Sequence, residues 1–299
     1  MAVDCSRSSA AVPDGVEHLL AGLPVVVLAL GGPAGDALAD TLDARLDDDV
    51  TLGAVQEAVQ ANPQAAVALA AHLRGHGHRS IGEGLVAESA TYSLLQSGPE
   101  YERWRSHRLP PAASVEPGAE AVAVERTGND LAVTLNRPDQ RNAFNAAMRD
   151  GLLAALDVAM ADPDVRVVLS GHGPAFCSGG DLTEFGTSAD PATAHIVRLR
   201  RNVGLALAAI ADRVEARVHG ACVGAGVELP AFAHRVVAAP GTTFWLPEIS
   251  MGLIPGAGGT VSIPGRIGRQ RTLVCALLGQ HLDAETALTW GLIDEIMTP

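Results

Sequence analysis

The spacing of apolar residues differs between the first third of the chain and the remainder. From Thr51 to Gly75, and again from Ser80 to Arg108, apolar positions recur every three or four residues, which predicts two long helices. An apolar run from Pro24 to Leu30 precedes them. Glycines and the sequence ALADTLDARL follow that run, so we expect a strand, a loop and a helix there. Residues 1–108 are therefore expected to form a smaller, mostly helical N-terminal domain.

A Pro- and Ala-rich segment at residues 109–118 is interpreted as a linker. After it, two β-rich runs, Ala121–Val124 and Leu131–Leu135, flank a Gly-Asn turn and predict a hairpin. Helical and strand patterns then alternate, with a buried strand at Val165–Ser170 and one long helix at Ala192–Ile210. This alternation predicts an α/β domain with parallel strands over residues 119–299.

Composition narrows the functional classes. The chain has 299 residues, 47% of them hydrophobic, and a formal net charge of −13. A mean hydropathy of +0.19 is high. The apolar run at Leu23–Leu30 is nevertheless too short to span a bilayer, and no membrane association is expected. No basic stripe stands out, which argues against nucleic-acid binding. The excess of apolar residues predicts burial between subunits and hence an oligomer.

The N-terminal sequence and the spacing of the cysteines indicate the same cellular compartment. The N-terminus lacks a basic segment followed by an apolar one, so no secretory signal is predicted. The four cysteines are scattered without a CxxC pair, which favours reduced thiols. A cytoplasmic protein is therefore expected.

Two further patterns are weak. The glycines after Leu30 could belong to a nucleotide loop, but the G-x-G-x-x-G spacing is absent. His72, His76 and His78 could bind a metal, yet no acidic ligand accompanies them, and a solvated helix end is the better interpretation. No metal site is expected.

The segment from His219 to Thr260 carries the chemistry. Gly220, Gly224 and Gly226 lead into a helical segment that holds Glu228. A Gly-rich backbone lets a ligand come close, and the free N–H groups at a helix start suit a developing negative charge, as an oxyanion hole requires. A second carboxylate, Glu248, could share acid and base work with Glu228. Alternatively, Glu228 could only satisfy backbone amides, and Glu248 could be a surface or capping residue.

Four segments, in this order and spacing, resemble the enoyl-CoA hydratase/isomerase (crotonase) superfamily over residues 119–299. They are Leu135-Asn136-Arg137-Pro138 with Asn142-Ala143, Ala175–Leu182 (AFCSGGDL), Gly220–Leu229 (GACVGAGVEL) and Pro247–Thr260 (PEISMGLIPGAGGT). The resemblance implies a spiral of repeated ββα units, a homotrimer or a dimer of trimers, and a coenzyme A thioester as ligand. Coenzyme A would enter as part of the substrate, and no other cofactor is implied.

The resemblance also implies roles for individual positions. The backbone N–H groups of Ser178 and Ala225 would form the oxyanion hole. Glu228 and Glu248 match the catalytic pair of hydratases, and the N–H group of Gly256 would place the water. Substrate or coenzyme A contacts would come from these residues: Ala143, Ser178, Gly179, Gly180 and Asp181.

The implied reaction is hydration of a 2-enoyl-CoA, a hydro-lyase reaction, because two carboxylates flanking one water favour that chemistry. The alternatives are isomerisation, thioester hydrolysis or cofactor-free oxygenation on the same scaffold, or a non-catalytic acyl-CoA-binding subunit. Relatives usually continue into C-terminal helices that cover the site, whereas this sequence ends at Pro299, soon after Trp290. We hypothesise that the N-terminal domain supplies this cover.

Overall fold

The fold is known from a computed structural model, which describes residues 1–5, 15–31, 37–46, 49–107 and 120–298. The helices are α1 (Val16–Ala21), α2 (Ala37–Thr41), α3 (Asp49–Ala61), α4 (Pro63–Arg74), α5 (Ile81–Gln96), α6 (Pro99–Ser106), α7 (Ala146–Ala161), α8 (Pro191–Arg200), α9 (Val203–Ala209), α10 (Ala225–Glu228), α11 (Gly259–Ile267), α12 (Arg269–Leu278) and α13 (Ala284–Trp290). The strands are β1 (Ala2–Asp4), β2 (Leu28–Leu30), β3 (Ala44–Leu46), β4 (Val122–Thr127), β5 (Asp130–Leu135), β6 (Arg166–Gly171), β7 (Val214–Val218), β8 (Ala221–Val223), β9 (Arg235–Ala238), β10 (Thr243–Trp245), β11 (Leu282–Asp283) and β12 (Glu295–Ile296).

A six-stranded sheet, in the order β12-β9-β7-β6-β5-β4, forms the centre of the C-terminal part. Strands β4 and β5 pair antiparallel around Gly128, which has φ +62°, and this confirms the predicted hairpin. The remaining pairs of this sheet are parallel, as the alternating pattern predicted. The mixed α/β architecture that the sequence predicted is therefore confirmed.

The sheet determines where the site lies. Strands β6 and β7 are parallel neighbours, so the loops that follow them leave from the same edge of the sheet. The segment after β6 contains Ser178, and the segment after β7 continues through the short strand β8 to Gly224. A second, three-stranded sheet in the order β11-β10-β8 lies beyond them. The backbones of Cys177 and Cys222, one from each loop region, form an isolated parallel β-bridge. Both loops therefore converge on one place.

The N-terminal part contains more β-structure than a single strand. Strands β1, β2 and β3 form a small parallel sheet. The sequence ALADTLDARL was expected to form one helix. Instead, the helix ends at Thr41, and Ala44–Leu46 is a strand. Asp43 lies between them, accepts the N–H of Val27 at 2.7 Å and forms a buried ion pair with Arg74. This local pairing outweighs the helical pattern. The possible nucleotide loop falls largely on residues outside the described ones.

Three predicted long helices are each broken. The first divides at Asn62, where Pro63 begins α4 because a proline without an N–H suits a first helical position. The second divides at Gly98, and Pro99 begins α6 in the same way. The third divides at Arg201, where the side chain of Asn202 accepts the N–H of Leu205 and caps α9.

The N-terminal helices pack directly on the C-terminal part. Helix α5 lies against α8, α9 and α11, and α6 lies against the turn at Glu248–Met251. Apolar residues of both parts belong to one continuous core, from Val26 to Ile293. The predicted linker, residues 109–118, lies outside the described residues, so the domain boundary stays a prediction.

Two expectations concern the surface and the thiols. Among the described helices, none combines the length and the apolar character that crossing a membrane requires. Cys5, Cys177, Cys222 and Cys275 are all described, are all buried and form no disulfide.

Substitution of Gly252 tests the contact between α6 and the C-terminal part. Gly252 has φ +72°, and a Cβ there would stand 2.6 Å from the backbone N of Tyr101. We expect Gly252→Ala to lower the free energy of unfolding by about 3 kcal/mol or more, since left-handed strain and a backbone clash add. Gly279→Ala is the matched control, because Gly279 has φ +56° but no heavy atom closer than 3.8 Å, and should cost about 1–2 kcal/mol. If urea unfolding showed the same loss of unfolding free energy for Gly252→Ala and Gly279→Ala, the close contact between Gly252 and α6 would be contradicted.

Candidate active site

A cavity of about 670 Å³ lies where the two Gly-rich loops meet the N-terminal helices. The residues predicted from the sequence that line it are Ser178, Gly179, Gly180, Asp181, Ala225, Glu228, Glu248 and Gly256. Ala143 is not among the lining residues, whereas its neighbour Phe144 is. The structure therefore brings both glutamates and both proposed oxyanion positions to one cavity.

Glu228 sits on the single turn α10 and is 2% exposed. Its Oε2 accepts hydrogen bonds from the N–H groups of Ala257 at 2.7 Å and Gly259 at 2.8 Å. A Cβ at position 259 would stand 2.5 Å from Cγ of Glu228, so this approach requires glycine. Burial raises the pKa of the carboxyl above its usual value, although the two amide donors act in the opposite direction.

Glu248 occupies a different environment. It begins the short 3₁₀ turn Glu248–Met251, and its Oε2 is buried with no hydrogen-bond partner among the described residues. Its Oε1 lies against Gly224. Burial and then the charge of Glu228 raise the pKa of Glu248 well above its usual range. The backbone N–H of Glu248 itself lowers this pKa only in part, so Glu248 is the member of the pair that holds a proton.

A third buried carboxylate, Glu88, was missed by the sequence analysis. It lies on α5, is 2% exposed, and accepts the N–H groups of Gly258 at 2.8 Å and Thr260 at 3.0 Å. The available signal was its position, since Glu88 shares the packed helical face of Leu85, Tyr92 and Leu95. An acidic residue on an apolar helix face requires a partner.

The proposed oxyanion donors differ in availability. The N–H of Ala225, at the start of α10, has no acceptor among the described residues. The N–H of Ser178 donates to the carbonyl of Arg141 at 3.0 Å. Arg141 has φ +50°, and this left-handed backbone is what turns its carbonyl toward Ser178. No sequence pattern indicated that hydrogen bond. The N–H of Gly256, proposed for water, also has no described acceptor.

Two predicted contact positions, Asp181 and Ala143, have structural partners. Asp181 pairs with Arg137 at 2.9 Å and accepts from Thr183 at 2.7 Å. Burial acts to raise the pKa of Asp181, but the bonds from Thr183 and Arg137 lower it overall. The same Arg137 donates to the carbonyl of Ala143 at 2.5 Å. Asn142, fully buried, holds the loop by donating to the carbonyls of His172 and Ala175. These residues shape the loop that carries Ser178.

The N-terminal helices supply one wall of the cavity. The ring of Tyr92 packs against Gly256, and the guanidinium of Arg198 lies 4.8 Å from the centre of that ring. Trp104 packs between Tyr101 and Phe185, at 5.8 Å from each. The N-terminal helices therefore lie next to the cavity, as the hypothesis that they cover the site requires.

Two other sequence candidates have ordinary surroundings. Burial raises the pKa of the Cys177 thiol to about 12, which leaves it protonated and packed. His72 Nε2 lies 2.9 Å from the hydroxyl of Thr260. Among the described residues, no three His, Cys, Asp or Glu side chains lie close enough together to bind a metal ion.

Comparison with known proteins matches residues 125–299, more than half of the chain, to the family model described as enoyl-CoA hydratase/isomerase. The chain belongs to this family. It is similar to the mevalonyl-coenzyme A hydratase of Beauveria bassiana (35% identity, covering 56% of this chain and 63% of the relative). It is also similar to the 1,2-epoxyphenylacetyl-CoA isomerase of Escherichia coli (34%, covering 56% and 66%). The chain thus spans less than two thirds of the length of either relative.

Solved structures support the same fold assignment. The crystal structure of an enoyl-CoA hydratase from Thermoplasma volcanium superimposes with a TM-score of 0.55 at 32% identity, covering 60% of this chain and 72% of that one. The crotonase-like core that the sequence predicted is therefore confirmed. Both hydratases and isomerases are among the family relatives, so membership alone leaves the reaction open between them.

The proton on Glu248 should be visible in stability. A carboxyl with a raised folded-state pKa contributes stability that is present below the unfolded pKa and is lost as pH rises toward the folded pKa. We expect the free energy of unfolding of the wild type, relative to Glu248→Gln, to fall by about 1.4 kcal/mol per pH unit in that window. Urea unfolding at pH values from 5 to 8 measures it. Glu285→Gln, at an exposed position, serves as control. Parallel curves for wild type and Glu248→Gln would show that Glu248 titrates normally.

Proposed function

We propose that the chain is a hydratase that adds water across the C2=C3 bond of a 2-enoyl-CoA thioester. The observation that carries the proposal is the contrast between Glu228 and Glu248 in one cavity. Two backbone amides of the Ala257–Thr260 loop stabilise the ionised form of Glu228, whereas the Oε2 of Glu248 is buried without a partner among the described residues. A base and an acid at the same site are what water addition needs.

The roles follow from these environments. Ionised Glu228 takes a proton from water as the water oxygen bonds to C3, and the double-bond electrons move onto the thioester as an enolate. Glu248 then gives its proton to C2, which restores the thioester carbonyl. Transfer of the remaining proton from Glu228 to Glu248, directly or through water, resets the pair. The N–H of Gly256 would orient the attacking water.

Enolate charge would be held by backbone N–H groups. Ala225 offers an N–H without a described acceptor. Ser178 would share its N–H between the carbonyl of Arg141 and the thioester oxygen, as a three-centre bond allows, or release the carbonyl on binding. This makes Ser178 the weaker of the two donors.

The other parts of the proposal are the ligand and the assembly. A coenzyme A thioester would lie along Ser178–Asp181, with Ala143 contributing through its backbone, and no further cofactor or metal is required by these steps. The expected assembly is a homotrimer or a dimer of trimers in the cytoplasm, without membrane or nucleic-acid partners.

Isomerisation is the second candidate. The same two carboxylates could move a proton between C2 and C4 of an unsaturated thioester, and a relative from Streptococcus mutans at 31% identity is named a trans-2-decenoyl acyl-carrier-protein isomerase. Hydration is favoured because Gly256 provides an N–H without a described acceptor beside both glutamates, as an attacking water needs.

Loss of the conjugated enoyl-thioester absorbance tests the reaction. With crotonyl-CoA and longer 2-enoyl-CoA substrates, the wild type should remove this band, and Glu228→Gln and Glu248→Gln should each slow it on the order of 10²–10⁴-fold, since each removes one proton-transfer group. The exposed variant Glu285→Gln should match the wild type. Binding of the thioesters without any loss of the band would contradict hydration and favour an acyl-CoA-binding subunit or another enolate reaction.

A further inference from the structure

Four successive backbone amides divide between two buried carboxylates, one from the N-terminal helices and one from the C-terminal part of the chain. Ala257 and Gly259 donate to Glu228 of α10, whereas Gly258 and Thr260 donate to Glu88 of α5. The four distances lie between 2.7 and 3.0 Å. The loop is therefore fixed from both sides, and the side held by Glu88 belongs to the N-terminal part.

We propose that Glu88 is a positioning residue for the acid–base pair: it fixes the Ala257–Thr260 loop so that the amides of Ala257 and Gly259 point at Glu228. The acid–base role of the pair rests on the proposed function, whereas the hydrogen bonds of the loop do not depend on it. Glu88 is separated from Gly258 by 170 positions in the chain, so the N-terminal helices complete the site instead of only covering it.

Glu88 is itself held in place. The hydroxyl of Thr260 donates to its Oε2 at 2.7 Å, and that hydroxyl oxygen can then accept from Nε2 of His72 at 2.9 Å. Burial lowers the pKa of His72 to about 4, so the ring is neutral and one N–H remains to donate. Three hydrogen bonds reach the two oxygens of Glu88 and favour its ionised form. Burial and then the charge of Glu228 act in the opposite direction and raise the pKa of Glu88 to about 8.

Charged and titratable groups surround Glu88 on several elements. They are Glu228 on α10, Glu248 on the 3₁₀ turn, Arg198 on α8, His72 on α4 and Tyr92 on α5. Burial first, then the charges of Glu228 and Glu88, raise the pKa of Glu248. Removing the charge of Glu88 should therefore lower the pH at which Glu248 loses its proton.

The test compares Glu88→Gln with Glu100→Gln. Glu100 is also buried on an N-terminal helix and accepts two backbone amides, from Gln64 at 2.7 Å and Ala65 at 2.9 Å, but it does not line the cavity. The first readout is hydrogen exchange of the Ala257 and Gly259 amides. We expect exchange about tenfold faster or more in Glu88→Gln, since a bond to a charged acceptor that fixes the loop is lost, and no change in Glu100→Gln.

The second readout is the titration of the carboxyl carbons of Glu228 and Glu248, labelled with carbon-13 and assigned with their own Gln variants. Glu88→Gln should move the Glu248 titration, and the alkaline limb of the kcat/KM profile, to lower pH. If Glu88→Gln does not fold, Thr260→Val should move both readouts in the same direction by less, because it removes one donor to Glu88.

The outcomes separate the two proposals. Exchange and titration need no turnover, so an inactive wild type with the expected changes would overturn hydration and leave the positioning role intact. An active wild type whose loop amides and glutamate titrations are unchanged in Glu88→Gln would overturn the positioning role. Equal changes in Glu88→Gln and Glu100→Gln would reduce Glu88 to a structural residue.

Discussion

The arrangement of the site depends on backbone amides that offset buried negative charge. A carboxylate removed from water is strongly disfavoured unless donors replace the water. The loop Ala257–Thr260 provides such donors, two to Glu228 and two to Glu88. Glu248 receives none from this loop, and its Oε2 has no partner among the described residues, so it keeps its proton. The difference between acid and base thus arises from where the loop directs its N–H groups.

This arrangement needs both parts of the chain. The parallel strands β6 and β7 deliver the two Gly-rich loops to one edge of the sheet, which places Ser178 and Ala225 together. Helix α5 then closes the other side with Glu88 and Tyr92, and α6 packs on the turn that carries Glu248. The family match covers only the C-terminal part, yet the N-terminal helices also contribute residues to the site.

The sequence identified those features that are local. The Gly-rich loops, the alternation of strands and helices, and the pair Glu228 and Glu248 are readable because each is a short segment with its own pattern. Glu88 was missed because its partners lie far away in the chain, and the bond from Ser178 to Arg141 was missed because it depends on a left-handed residue. The helix breaks at Pro63 and Pro99 carried a readable signal, since proline at a first helical position starts a helix.

Incubation of a 2-enoyl-CoA in water labelled with oxygen-18 and deuterium, followed by mass spectrometry of the intact thioester, tests the central claim most directly. The account predicts one labelled oxygen and one deuterium from solvent bound to carbon in the product, with coenzyme A still attached, and no such product from Glu248→Gln on the same timescale. Deuterium without oxygen-18 would indicate isomerisation. Free coenzyme A with labelled acid would indicate thioester hydrolysis. Either result would contradict hydration by Glu228 and Glu248.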